Sequence, residues 1–336
     1  MTVEQTKDQV AGTAAGNGIG FDDVLAAHRR IEPLVVRTPA SSYGELDALT
    51  GANVVVKHEN LQHTSAFKVR GALNLHLSIP EGERARGVVA YSTGNHAQAQ
   101  AYAARHTGTP ATIVMPAGPP EPNPVKVRAV ERLGASLVLA GESLAEAGAH
   151  AAELAAASGA RLVEVANEPA LVAGVGTAYL ELLRQEPGLD AIVVPVGGGS
   201  GAVAACVVAA ALAPHVRVYG VQSDAAPAAH DSWRAREIVR RPVGTRAEGL
   251  ATGTGFEFTQ AVLREHLTDF LLVSDDEIAA AQRHFLTAAH TVAEGAGAAA
   301  LAAVVRHPAI FAGQRVAVVC SGGNASEAEL RRALGA

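Results

Sequence analysis

Four short segments hold residue types whose spacing could do chemistry. The first, residues 59–72, contains Ala66-Phe67-Lys68-Val69-Arg70-Gly71 and leads from an apolar run into a helix. A buried lysine amine loses affinity for its proton and becomes a nucleophile towards carbonyl groups, and an aromatic neighbour can pack on a flat cofactor. A solvated lysine at a helix start fits that stretch equally well. The second segment, Ser92-Thr93-Gly94-Asn95-His96, joins small hydroxyls and a glycine to a helix start. Unpaired backbone N–H groups there attract an anion such as an amino-acid carboxylate. Ser92 or Thr93 as a plain N-cap is compatible with that role, and His96 reads as structural.

The third segment, 195–201, runs Pro195-Val196-Gly197-Gly198-Gly199-Ser200-Gly201 between an apolar run and an apolar helix. Consecutive glycines let the backbone wrap an oxyanion, and the helix dipole adds attraction, so this reads as a phosphate cup. It lacks the Lys-Ser/Thr ending of a nucleotide-triphosphate loop. Gly199, Gly201 and Ala204 fit the dinucleotide pattern G-x-G-x-x-A, but the following strand reaches Gln222 without an acid to hold a ribose. The fourth segment is Cys320-Ser321-Gly322-Gly323-Asn324. It is either a simple strand-to-helix turn or a place where Ser321 meets a ring nitrogen with a neutral hydroxyl.

These segments need a scaffold that brings strand ends together. Short β-rich runs at 53–57, 88–91, 111–115, 136–139, 161–164, 191–196, 217–221, 270–273 and 315–320 predict strands. Alanine-rich runs predict helices over 96–105, 124–133, 144–157, 170–185, 202–212, 275–289 and 295–305. Strand–helix alternation builds parallel sheets with helices on their faces, and ligands gather at the carboxyl ends of such strands. No internal repeat is present. A proline-rich seam falls at 118–124. Regularity breaks down again over 223–255, around Trp233, as in a long loop over a site or an interface.

The 336 residues exceed one ordinary core, so two lobes are expected. Net charge is −6 and the basic residues are scattered, without the stripe or aromatic ladder that nucleic acid requires. Cys206 and Cys320 sit in apolar runs and form neither a disulfide framework nor a zinc pattern, so a reducing cytoplasm is expected. The longest apolar run, 202–213, falls short of the roughly 20 residues that span a bilayer, so no membrane partner is expected. Residues 1–20 are polar and glycine-dotted and read as a disordered leader, not a signal peptide.

In this order, with Ala293-Glu294-Gly295-Ala296-Gly297-Ala298 between the third and fourth, the segments resemble the serine/threonine dehydratase branch of the fold type II pyridoxal-phosphate enzymes. Serine racemase, threonine synthase and the cysteine synthases are related. The resemblance extends from about Phe21 to the C-terminus. It implies an α/β fold of the tryptophan synthase β type, with two lobes, each a mostly parallel sheet flanked by helices. Residues 21–80 and 167–336 would form the large cofactor-binding domain and 81–166 the small one. The implied cofactor is pyridoxal 5'-phosphate (PLP), bound as a Schiff base to Lys68. Phe67 would pack on its ring, Asn95 would bond the ring hydroxyl, and Ser321 would face the ring nitrogen. Glu294 would lie near the ring, and Gly197, Gly198, Gly199, Ser200 and Gly201 would bind the phosphate. Ser92, Thr93, Gly94, Asn95 and His96 would hold the substrate carboxylate. The implied reaction removes the β-hydroxyl of a small amino acid such as L-threonine or L-serine, giving a 2-oxo acid and ammonia, with Lys68 as base for the α-proton. A serine at the ring nitrogen leaves it uncharged, a weaker electron sink that favours prompt elimination over transamination. A homodimer is expected from the resemblance and from the prevalence of two-fold assemblies.

The chain also departs from the family pattern. Thr64-Ser65-Ala66-Phe67-Lys68 stands where Thr-Gly-Ser-Phe-Lys is usual, Ser200 replaces a glycine, and Thr93 stands where dehydratases often have serine or alanine. These changes leave cofactor binding intact and the substrate open. A hydroxyl at Thr93, on the face opposite Lys68, can act as a second acid–base group, as in serine racemase. Racemisation is therefore the alternative, although a carboxylate donor is the plainer role for Thr93. β-Replacement and non-catalytic ligand binding follow behind. Some relatives hold a divalent cation with a Glu and an Asp where this chain has Gln222 and Ala228; Asp224 alone makes a poor cage, so no metal is expected there. About a dozen residues follow Asn324, so no C-terminal regulatory domain is expected.

Overall fold

The computed structural model describes residues 18–118, 122 and 124–335. The expected leader lies outside the described residues up to position 17, as does part of the proline-rich seam. Among the described residues the strands are β1 (Ala40–Ser42), β2 (Asn53–Lys57), β3 (Val88–Tyr91), β4 (Ala111–Met115), β5 (Ser136–Leu139), β6 (Arg161–Val163), β7 (Ala191–Pro195), β8 (Arg217–Ser223), β9 (Asp269–Val273) and β10 (Arg315–Val319). They form a six-stranded sheet in the order β1-β2-β10-β7-β8-β9 and a four-stranded sheet in the order β5-β4-β3-β6. Every pair is parallel except β1 with β2.

Burial explains why the inner strands are continuous apolar runs. Parallel sheets carry helices on both faces, so alternate residues enter two different cores. Val54 and Val56 of β2, Ala191 and Val193 of β7 and Val316 and Val318 of β10 pack with Phe285, Leu301 and Val304, from helices Asp275–Ala288 and Gly295–Arg306. The intervening Val55, Ile192, Val194 and Ala317 pack on the other face with Leu180, Leu182 and Val203, from helices Pro169–Gln185 and Ser200–Leu212. Cys206 and Cys320 lie one in each core and are free, and burial pushes both thiols up, Cys206 to about 12. No helix among the described residues is long and apolar enough to cross a membrane.

Two expectations need correction. The strand β1 was not anticipated, because Ala40-Ser41-Ser42 carries no apolar signal and is held only by antiparallel pairing to β2. Residues 223–255 are not one irregular loop, since a helix spans Ala228–Ala235 and contains Trp233. That helix is capped from outside its own sequence. The buried Gln222 amide oxygen accepts the N–H groups of Ala229 and His230, both at 3.1 Å. Such a cap leaves no local signal.

Candidate active site

All four sequence segments leave the carboxyl ends of parallel strands, namely β2, β3, β7 and β10. They converge on one cavity of about 260 Å³ between the two sheets. Phe67 and Lys68, Ser92 to His96, Gly197 to Gly201, Glu294 and Ser321 all line it. Lys126, Glu248 and Thr252 line it too, although the sequence did not single them out.

Lys68 opens the helix Lys68–Ser78. Its Nζ donates to Ser200 Oγ at 3.2 Å and stands 4.7 Å from the centre of the Phe67 ring. Burial pulls the amine down to about 8, which raises its neutral, nucleophilic fraction. Its loop is stapled to the segment after β10. Phe67 N donates to Ser321 O at 3.1 Å, Gly323 N to Ser65 O at 2.8 Å, and Asn324 Nδ2 to Thr64 O at 2.8 Å.

Two residues along the helix, Arg70 is fully buried and bridges two carboxylates. Its Nε and Nη2 reach Glu59 at 2.8 and 2.9 Å, and its Nη1 and Nη2 reach Glu181, both at 2.8 Å. Lys57 Nζ adds a bond to Glu181 at 3.0 Å. This network ties the lysine helix to the turn after β2 and to the helix Pro169–Gln185.

The turn before Lys68 is strained. Ser65 has φ of 53°, in the left-handed region that disfavours side chains. Relief of that strain exceeds the extra unfolded-state freedom of glycine. Ser65→Gly is therefore expected to raise unfolding stability by up to about 1 kcal/mol. Urea denaturation checks this, and a loss of stability would show that the Ser65 side chain holds something in place.

The glycine cup is built by close approach. A Cβ at Gly197 would lie 2.2 Å from Gly249 O, and Gly199, at φ 96°, would put one 2.8 Å from Thr259 Cβ. Thr259 Oγ1 in turn donates to Gly198 O at 2.9 Å. Ser200 begins the helix that follows, so the cup combines bare backbone with a helix N-terminus. A phosphate fits that cradle, and the Lys68 amine beside it fits an aldehyde. These residues therefore suit PLP.

At the cavity wall, Gly94 precedes the helix Asn95–Thr107, and its N–H donates to Ser92 Oγ at 3.1 Å. Thr93 lines the cavity at this wall. Asn95 Oδ1 accepts from Asn324 at 2.9 Å, while its Nδ2 donates to Glu294. Burial pushes Glu294 up to about 7; Lys126 and the Asn95 bond offset part of that rise. His96 is buried, and burial with the nearby Lys68 pulls its ring down to about 3, so it stays neutral. The Ser321 hydroxyl is buried 3.5 Å from Ala296 O and presents a neutral group to the cavity.

Among the described residues no cluster of His, Cys, Asp and Glu forms a cation cage. Both polar atoms of Gln222 are engaged, the oxygen as described and the nitrogen with Thr252 Oγ1 at 3.2 Å. Removing divalent cations with a chelator is therefore expected to leave activity unchanged. A loss restored by added magnesium would reveal a cage elsewhere.

A family model described as pyridoxal-phosphate dependent enzyme matches residues 31–322. The chain is similar to an L-threonine ammonia-lyase of Thermotoga maritima, 38% identical over 309 residues that cover 91% of this chain and 76% of that one. It is also similar to a beta-hydroxyaspartate dehydratase of Paracoccus denitrificans, 36% identical over 305 residues that cover 90% of this chain and 96% of that one. Among solved structures, maize serine racemase superposes with a TM-score of 0.89 at 30% identity, covering 95% of this chain and 97% of that one.

Proposed function

Since the chain belongs to the family of pyridoxal-phosphate dependent enzymes, we propose that it eliminates the β-hydroxyl of a small L-β-hydroxy amino acid as water, and that a water then hydrolyses the released imine to a 2-oxo acid and ammonia. The observation that carries this reading is the placement of the Lys68 amine, depressed to about 8, beside Ser200 of a glycine cup and in one cavity with an anion loop. The relatives' names include threonine and β-hydroxyaspartate lyases, so the open question is the substituent beyond Cβ.

When bound, PLP supplies an electron sink for charge that develops at the substrate Cα. Lys68 Nζ would hold the cofactor and serve as the base for the α-proton. Ser200 Oγ, accepting from that amine, fixes its direction, and Phe67 would pack on the cofactor ring. The backbone of Gly197 to Gly201 would hold the phosphate. Ser92 to His96 would receive the α-carboxylate at the helix start, and Asn95, steadied by Asn324, would bond the ring hydroxyl. Ser321 would meet the ring nitrogen without giving it a charge. Glu294 shares the Asn95 amide and can carry a proton near neutrality.

The test is to add PLP to the purified protein and supply a panel of L-β-hydroxy amino acids. Visible absorbance and 2-oxo acid release are followed, with Lys68→Ala as control. A visible band that responds to substrate, with ammonia and oxo acid formed, supports the elimination. A colourless protein that takes up no PLP would overturn it. Racemisation is the second reading, favoured by the Thr93 hydroxyl at the cavity wall. Recovery of the substrate's mirror image without oxo acid would select it. We further propose a homodimer working in the cytoplasm, to be checked by sedimentation and by cell fractionation.

A further inference from the structure

Among the described residues, Lys126, on the helix Pro124–Arg132, is the one lysine or arginine besides Lys68 that lines the cavity. Its side chain is only 6% exposed. It lies against the anion loop, where a Cβ built on Gly94 would stand 3.7 Å from its Nζ. A buried ammonium needs an anion, since it has no water to fall back on. The anion it meets is Glu248, on the turn Glu248–Leu250 that packs on the glycine cup at Gly197.

The pair is unequal. Glu248 is 50% exposed and has no other ion pair among the described residues. An incoming carboxylate that displaced it would leave Lys126 paired and return Glu248 to solvent, a low-cost exchange. The α-carboxylate already has the Ser92–His96 loop. In an amino acid with a second carboxylate on Cβ, the two carboxyl carbons are three bonds apart, about 4 Å. A cation beside the loop is within that reach.

We propose that Lys126 is the specificity residue for a side-chain carboxylate, taken over from Glu248, so that the favoured substrate is a 3-hydroxy dicarboxylic amino acid of the hydroxyaspartate kind. This rests on the β-elimination reading. With a methyl in place of the carboxylate, as in threonine, Lys126 keeps Glu248 and contributes nothing to selection.

The experiment uses the full-length holoenzyme and measures kcat/KM for 3-hydroxyaspartate and for L-threonine in the wild type, Lys126→Met, Lys126→Arg and Glu248→Gln. The wild type is expected to prefer 3-hydroxyaspartate. Lys126→Met should lower its kcat/KM by about 100-fold or more, and that of threonine by less than about tenfold. Lys126→Arg should restore part of the preference, and Glu248→Gln should lower KM for 3-hydroxyaspartate by removing the competitor. Equal losses on both substrates in Lys126→Met would assign Lys126 to the α-carboxylate and overturn the proposal, as would a wild type that prefers threonine. If neither substrate yields an oxo acid, the elimination reading itself fails. Spectral titration of the holoenzyme with the unreactive L-aspartate and L-alanine then decides separately. Tighter binding of aspartate that Lys126→Met abolishes supports the subsite, and equal binding overturns it.

Discussion

Arg70→Ala is expected to destabilise the protein by about 3–5 kcal/mol, because it strands buried carboxylates that now share one guanidinium. Glu59 is fully buried and Glu181 nearly so. Burial alone would push Glu59 up, but Arg70, with Lys57 and the Thr38 hydroxyl at 2.6 Å, outweighs it and holds the carboxyl below its ordinary value. Removing Arg70 leaves Lys57, bonded to Glu181, as the remaining cation in this network. Urea unfolding of wild type and variant measures the difference, and a change under about 1 kcal/mol would show that the network is dispensable. The same network sets a pH dependence. A carboxyl whose folded pKa is depressed stabilises the fold above its unfolded value, about 4.3, and loses that contribution as pH falls through the folded value. Wild-type stability should therefore decline below about pH 4.3. Because Arg70 lies two residues from Lys68, the variant should also loosen the lysine helix.

Lys68→Ala is expected to cost at least about 10³-fold in turnover and to abolish the visible band of the bound cofactor. The wild-type amine itself offers a sharper check. Burial pulls it down to about 8, so at pH 7 roughly one lysine in ten is neutral and able to attack an aldehyde, against fewer than one in a thousand for an ordinary lysine. The rate of PLP uptake by the cofactor-free enzyme should rise about tenfold from pH 6 to 7 and about fivefold from pH 7 to 8, and then level off. A rate still climbing at pH 9 and above would mean that the amine titrates like a solvated one.

Much of the scaffold was legible because burial leaves a local trace. Valine-rich runs such as Val54-Val55-Val56 are apolar on both faces because helices cover both faces, and the strands at 53–57, 88–91 and 111–115 occur where that pattern predicts them. The chemistry-bearing segments were visible for a related reason. A lysine beside an aromatic, glycines in series and small hydroxyls before a helix are each demanded by local backbone or electronic needs. β1 and the helix Ala228–Ala235 left no such trace, since one is held by a neighbouring strand and the other is capped by Gln222 from β8.

By itself, then, the sequence determined the alternation of strands and helices, the four segments at strand ends and the residue types there that suit carbonyl and phosphate chemistry, because these depend on periodicity and short-range backbone chemistry. Only the tertiary structure decided which charges meet. It placed Arg70 between Glu59 and Glu181, depressed Lys68 by burial, and set Lys126 against Glu248 across 122 positions of chain. Desolvation and ion pairing act through space in a medium of low polarity, so their partners carry no mark in the local sequence that could announce them.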